Sequence, residues 1–346
     1  MTAAAIKKNN FDLVRFSLAI IVFFYHVSVL TQLPELTGLG IYLSAEFAVD
    51  AFFVVSGFLI FMSYENSPSI KSYFLKRLRR VAPAYIAVIL ICSIAFFCIS
   101  SFDFNHYFSF AWLKYIVMNM VTLNFLQHSL PGVFEENFMS AVNGALWTIK
   151  VEVMFYFSVP IVIFLFTKVN KWLVMTSIYV IATIYSLTMV YLEQKTGNGL
   201  YLILERQLPG QMSFFISGAF LYYGFDRFSK HSTLIFVVGV LVFTASKAMG
   251  LYFFYPASLA VMVIYGALIF KYVGNWGRFG DFSFGIYIWH FPLTQLFIQL
   301  GYFDSNPFLA LAALVLSVMF AAYLSWHFIE KKFLNQNSHY RKVETL

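Results

Sequence analysis

Long apolar stretches dominate this sequence, and they constrain its fold more than any other feature. A membrane-spanning helix needs about 20 consecutive apolar residues, so the pattern predicts an all-α, polytopic integral membrane bundle of about ten transmembrane helices. With only 11% charged residues, where soluble domains carry roughly a quarter, the chain is not a soluble enzyme. The stretches lie at roughly 11–30, 45–64, 81–100, 145–166, 172–192, 209–225, 233–250, 252–270, 282–300 and 308–328.

One further apolar stretch, 113–126, is too short to cross a bilayer and leads into a polar connection through Pro131 and Glu135. We predict that it forms a re-entrant or interfacial helix. A full crossing there would also move Lys168 and Lys171 to the outer side, against the general distribution of positive charge.

The distribution of basic residues predicts the orientation. Most of the 23 Lys and Arg residues fall in segments that an even number of spans assigns to the cytoplasm, from Lys7 and Lys8 to Arg341 and Lys342. Both termini are therefore expected to be cytoplasmic. The net charge of +7 follows from this topology, and we expect no nucleic-acid partner. We expect a single membrane domain over 1–333 and a cytoplasmic tail over 334–346.

Ionisable side chains at membrane depth mark candidate functional sites, because charge is costly there. Arg15 and His26 are eleven residues apart, which places them on one face of the first span, about 16 Å apart along its axis. Asp50 in the second span matches His26 in depth. A His–Asp pair of this kind suits proton abstraction, but it also suits a hydrogen bond that only packs two helices. Glu152 lies in the outer half of its span and leaves the same two interpretations open.

The densest basic run, KSYFLKRLRR at 71–80, lies on the opposite side of the membrane. Arg77 and Arg80 are three residues apart and can share a helix face, where they could bind phosphate groups. The run could equally be an anchor that only fixes topology. The sequence shows no H-E-x-x-H, phosphate-binding glycine loop or G-x-S-x-G motif, so it does not support a metalloprotease, ATPase or α/β-hydrolase. We expect no bound metal.

Six segments together resemble the membrane acyltransferase-3 family of bacterial acyltransferases that modify surface glycans. The first is Arg15 followed after ten residues by His26, similar to that family's R-x(10)-H helix. The others follow in the family's order: FAVDAFFVVSGFLI at 47–60, FLKRLRRVAPAY at 74–85, LWTIKVEVMFY at 146–156, FGIYIWHFPL at 284–293 and HFIEKKF at 327–333.

The resemblance implies transfer of an acyl group, most often acetyl, from cytoplasmic acyl-CoA to a hydroxyl group of a surface or lipid-linked carbohydrate. It implies a multi-pass protein of the bacterial cytoplasmic membrane, with acyl-CoA as co-substrate and no bound cofactor. Many relatives carry a fused extracytoplasmic esterase-like domain, which we do not expect here. The residues it assigns are catalytic His26, Asp50, Arg15 and Glu152, acyl-CoA-binding Arg77, Arg80, Tyr85 and Ser56, and acceptor-binding Trp147, Tyr156 and His290.

Two other functions remain open from the sequence. A proton-coupled transporter or exporter of a glycan or small molecule could use His26 and Asp50 as a proton relay, although we find no internal repeat. A structural assembly factor without chemistry would leave the matching depths of these two residues unexplained.

Overall fold

The computed structural model describes residues 8–335, 338, 340 and 341. Over these residues the chain is helical and forms no strands, which confirms the all-α prediction. The helices are α1 (Phe11–Thr31), α2 (Thr37–Tyr42), α3 (Ala45–Glu65), α4 (Ile70–Ala95), α5 (Phe104–Tyr107), α6 (Phe110–Met120), α7 (Trp147–Phe166), α8 (Lys171–Thr196), α9 (Leu200–Glu205), α10 (Leu208–Tyr223), α11 (Phe225–Lys230), α12 (Ser232–Met249), α13 (Tyr255–Leu268), α14 (Phe282–Gln299), α15 (Pro307–Leu324) and α16 (Lys331–Phe333).

Seven helical segments among the described residues are long and apolar enough to cross a membrane, so the chain is a multi-pass membrane protein. The other three predicted spans also form helices, α10 of 16 residues, α13 of 14 and α14 of 18. The count of ten and the cytoplasmic position of both termini stay predictions. Lys7 and Lys342, which we assigned to the cytoplasmic side, lie outside the described residues.

Two predicted boundaries differ from the structure. The third span was expected from residue 81, but α4 begins at Ile70, so the basic run at 71–80 is part of the helix. The short apolar stretch was expected at 113–126, but α6 ends at Met120. Thr122 adopts a positive φ of 61°, a left-handed conformation that a helix cannot continue through.

The chain divides into two compact units that alternate along the sequence. The first unit comprises residues 1–14, 49–74 and 151–274. Its core is aromatic: the rings of Phe155 and Phe215 stack with centroids 4.1 Å apart, and Phe53 packs edge-on against Phe155. Gly57 allows α3 to approach α10 closely, because a Cβ atom there would lie 1.8 Å from the carbonyl oxygen of Phe215. Such small residues let helix backbones approach in membranes.

The second unit comprises residues 15–48, 75–150 and 275–346. It holds an irregular segment before α7 that is fixed to α14 by buried polar side chains. The amide of Gln295 donates to the carbonyl of Ala141 at 2.9 Å, and that of Asn143 donates to the carbonyl of Ile288 at 2.8 Å. Non-helical backbone is tolerated at membrane depth only when its polar groups are satisfied in this way.

Candidate active site

A cluster of four charged side chains, each at most 11% exposed, lies within the second unit. Arg80, on α4, donates to Glu330 at 2.6 Å and to Asp281 at 2.7 Å. Arg15, on α1, lies 3.3 Å from the same Asp281 oxygen. The side chains of Asp281 and Glu330 are only 5% and 1% exposed. Two guanidinium groups and two carboxylates therefore balance in formal charge, as buried charges must.

The local folding of the chain places both carboxylates. Asp281 is the N-terminal cap of α14 and accepts from the amide and the hydroxyl of Ser283, which satisfies a free helix end. Glu330 lies in a π-helical turn, Ser325–Glu330, at the end of α15, and accepts from the hydroxyl of Ser325 at 2.9 Å. Such wide turns redirect side chains and occur frequently at functional sites.

Tyr340 covers the two arginines. Its ring centroid lies 4.9 Å from Cζ of Arg15 and 4.6 Å from Cζ of Arg80, and Arg15 donates to its hydroxyl at 2.7 Å. Burial raises the pKa of the Asp281 carboxyl, but the charges of Arg15 and Arg80 outweigh burial and lower it to about 2. The same two charges outweigh burial at Tyr340 and lower the pKa of its phenol. The two guanidinium groups therefore favour the ionised forms of the acidic groups around them.

The second feature of this unit is a pair of histidines. Nδ1 of His26, on α1, lies 3.0 Å from Nε2 of His290, on α14, and the two rings lie 5.1 Å apart at an angle of 22°. His290 is wholly buried and His26 is half-buried. Phe291 packs edge-on against the His26 ring at 5.3 Å. An imidazole held by a second imidazole in an aromatic surrounding is suited to general acid–base chemistry.

The histidine pair and the charged cluster are linked by the same two helices. Arg15 and His26 both lie on α1 and both meet residues of α14 or its cap, as their common face predicts. Their separation of eleven residues corresponds to about 16 Å of helix rise. One end of this arrangement therefore carries charge, and the other carries titratable rings.

Asp50 and Glu152, the other two predicted catalytic residues, have partners within the first unit. Asp50 accepts from the hydroxyl of Tyr255 at 3.2 Å and is buried. Glu152 accepts a short hydrogen bond from the hydroxyl of Tyr156, which was predicted to bind the acceptor. The pairing of Asp50 with His26 and the binding role of Tyr156 stay predictions.

The remaining predicted residues are distributed over three helices. Tyr85 is buried on α4 and donates to the carbonyl of Asn119 at 2.7 Å, which anchors the end of α6. Arg77 lies half-buried on α4, three residues before Arg80. Ser56, on α3, and Trp147, at the start of α7, are also half-buried. No binding role of these residues is tested by the structure.

Sequence reasoning missed Asp281, Tyr340 and Glu330 as site residues, although Glu330 belongs to the HFIEKKF segment at 327–333. Asp281 follows a polar loop and reads as solvated, and Tyr340 lies in the tail. One signal was available in the sequence. An arginine buried in the protein needs an acidic partner, and Glu330 was one of the few acids close to a predicted span. Within the described residues, no group of three or more His, Cys, Asp and Glu side chains could hold a metal ion.

Comparison with known proteins decides the family. The profile of the acyltransferase domain, acyltransferase-3, matches residues 8–327. The chain belongs to the acyltransferase-3 family. The matched region therefore includes both α1, with Arg15 and His26, and α14, with His290.

Two relatives of this acyltransferase show how far the similarity extends. The O-acetyl transferase of Shigella phage Sf6 is 26% identical over 337 residues, which cover 96% of this chain and 98% of the relative. Nodulation protein 10 of Rhizobium leguminosarum bv. viciae is 30% identical over 165 residues, 45% of this chain and 44% of the relative. No solved structure matches the chain significantly.

Proposed function

We propose that this acyltransferase moves an acetyl group from acyl-CoA on the cytoplasmic side of the bacterial inner membrane to a hydroxyl group of a surface or lipid-linked carbohydrate. The observation that carries the proposal is the His26–His290 pair, held at 3.0 Å within a membrane protein of an acyltransferase family. The phage relative is named an O-acetyl transferase, and the similarity covers 98% of its length. This name supports acetyl as the transferred group and an oxygen atom as the acceptor.

The reaction requires a base at the acceptor hydroxyl. In the direct route, a ring nitrogen of His26 takes the hydroxyl proton while the oxygen attacks the thioester carbonyl; the C–S bond breaks, and the thiolate of CoA receives the proton. In the covalent route, the same nitrogen attacks the carbonyl and the C–S bond breaks to release the CoA thiolate. The acceptor oxygen then attacks the acetyl group on the nitrogen, the C–N bond breaks, and the hydroxyl proton passes to the thiolate. Both routes use one lone pair of His26.

The donor enters from the end of α4 that carries the basic run. Arg77, with Lys76 and Arg79 beside it, offers the positive charge that the phosphates of CoA require. Arg80 has a different role in this proposal, because it already binds Asp281 and Glu330. Its cluster fixes the inner end of the site, about 16 Å along α1 from His26, and the pantetheine arm spans that distance.

The test is acetyl transfer in proteoliposomes with labelled acetyl-CoA outside and a glycan acceptor inside. His26→Ala should lower the rate of ester formation about 10²- to 10⁴-fold, whereas His106→Ala, which changes an exposed histidine, should not lower it. Full transfer by His26→Ala at normal protein level would refute the assignment. Label that crosses the bilayer without forming an ester would indicate a transporter instead.

A further inference from the structure

We propose that His290 is a positioning residue that fixes which nitrogen of His26 carries the reactive lone pair. The inference rests on the proposed function of His26 and adds to it the identity of the reacting atom, Nε2. It assigns His290 a role different from the acceptor binding that the sequence suggested.

The proton positions follow from a chain of hydrogen bonds that begins at a backbone carbonyl. Nδ1 of His290 lies 3.1 Å from the carbonyl oxygen of Ile286, one turn earlier on α14. A carbonyl oxygen only accepts, so Nδ1 of His290 carries the hydrogen. In a neutral imidazole the other nitrogen, Nε2, is then an acceptor, and it faces Nδ1 of His26 at 3.0 Å.

The same reasoning then fixes the tautomer of His26. Its Nδ1 must carry a hydrogen in order to donate to His290, which leaves the lone pair on Nε2. The opposite tautomer of His26 would set two lone pairs against each other inside the bundle. Because His290 is wholly buried, water cannot relieve that arrangement, and an unsatisfied buried group is costly. His26 is thus held ready as a base or nucleophile at one defined atom.

Packing holds His290 in this orientation. Tyr287 packs edge-on against its ring, and Phe23 lies at a tilted angle 5.9 Å away. The hydroxyl of Thr294 donates to its backbone carbonyl at 2.7 Å. The ring is therefore fixed from several directions, as a residue that orients a catalytic group must be.

Two substitutions at position 290 separate orientation from packing. His290→Phe keeps an aromatic ring but removes the acceptor, and it should lower kcat for acetyl transfer about 10- to 100-fold with little change in KM for acetyl-CoA. His290→Gln retains an acceptor near the position of Nε2 and should recover part of this loss. His106→Phe, which changes an exposed histidine outside the site, serves as the control and should keep the parental kcat.

A double variant tests whether His290 acts through His26. His26→Ala combined with His290→Phe should be no slower than His26→Ala alone, because the orienting group then has nothing to orient. An additional loss in the double variant would overturn the inference.

The tautomer is measured without substrate, by ¹⁵N NMR of histidine-labelled protein in nanodiscs. His26 should carry its hydrogen on Nδ1 in the parent, and the Nε2–H form should gain population in His290→Phe. A parent spectrum with the hydrogen of His26 on Nε2 would refute the inference even if His26→Ala is inactive. If His26→Ala is active, the proposed function fails, while the tautomer result still reports on the histidine pair.

Discussion

Asp281 offers the sharpest test of the buried charged cluster. Its carboxylate lies 2.7 Å from Arg80 and 3.3 Å from Arg15. Asp281→Asn keeps the size of the side chain and an acceptor for the amide of Ser283, and Asn is as good an N-terminal cap as Asp. The substitution therefore removes the charge alone and leaves the cluster with a formal charge of plus one.

The magnitude follows from the pKa and from the burial of the pair. Lowering the pKa of Asp281 from 3.8 to about 2 corresponds to ~2 to 3 kcal/mol in favour of the ionised folded state. Removing one partner of a buried ion pair costs ~3 to 5 kcal/mol. We expect Asp281→Asn to lower the free energy of unfolding by ~3 kcal/mol, or the midpoint by ~4 °C for a chain of this length.

The assay is thermal unfolding in lipid nanodiscs, followed by tryptophan fluorescence. Asp103→Asn is the matched control, because Asp103 also caps a helix and contacts the ring of His106, but both side chains are exposed. Its midpoint should not change measurably. Adding Arg15→Met to Asp281→Asn should recover part of the loss, since it restores neutrality. An unchanged midpoint for Asp281→Asn would refute the reasoning.

The pH dependence of this effect has a defined sign. Because the pKa of Asp281 is lowered on folding, its contribution to stability is complete above about pH 4 and is lost as the pH falls towards about 2. The difference in midpoint between parent and Asp281→Asn should therefore be constant near neutral pH and shrink across that acidic window. A difference that grows on acidification would contradict the assignment of the charge.

Two further substitutions test other parts of the molecule. Gly57→Ala should destabilise the protein by ~1 to 3 kcal/mol or more, because the new Cβ would collide with the carbonyl of Phe215. The control is Gly266→Ala, where no atom lies within 4 Å of the new Cβ; it should be neutral or slightly stabilising in the same unfolding assay. Arg77→Ala should weaken acyl-CoA binding about tenfold in titrations of the purified protein. The control is Lys71→Ala, which changes an exposed cation on the same helix and should leave the affinity unchanged. Equal affinities for both variants would assign the basic run to topology alone.

The helices were readable from the sequence for a physical reason. Lipid offers no hydrogen-bond partner to the backbone, so a long apolar stretch must be helical. The boundaries were less readable, because polar residues can continue a helix beyond the apolar stretch. The first turns of α4 are an example. The helix begins at Ile70, about ten residues before the apolar stretch, because helical hydrogen bonding does not depend on hydropathy.

The site was predictable on one side only. Helical periodicity placed Arg15 and His26 on one face, but it could not name what that face meets. Asp281 and His290 lie more than 260 residues further along the chain, and pairing across such a distance leaves no trace in the local pattern. The same limit hid the two acids from distant segments that bind Arg80.

The two contacts between α1 and α14 also restrict how these helices can move. One joins Arg15 to Asp281 and the other joins His26 to His290. The two contacts lie at different levels along α1. A slide of one helix along the other by a single turn, about 5.4 Å, would break both at once. A slide between the two helices is therefore opposed at two levels, and in the proposed reaction both substrates would have to reach His26 rather than His26 move to them.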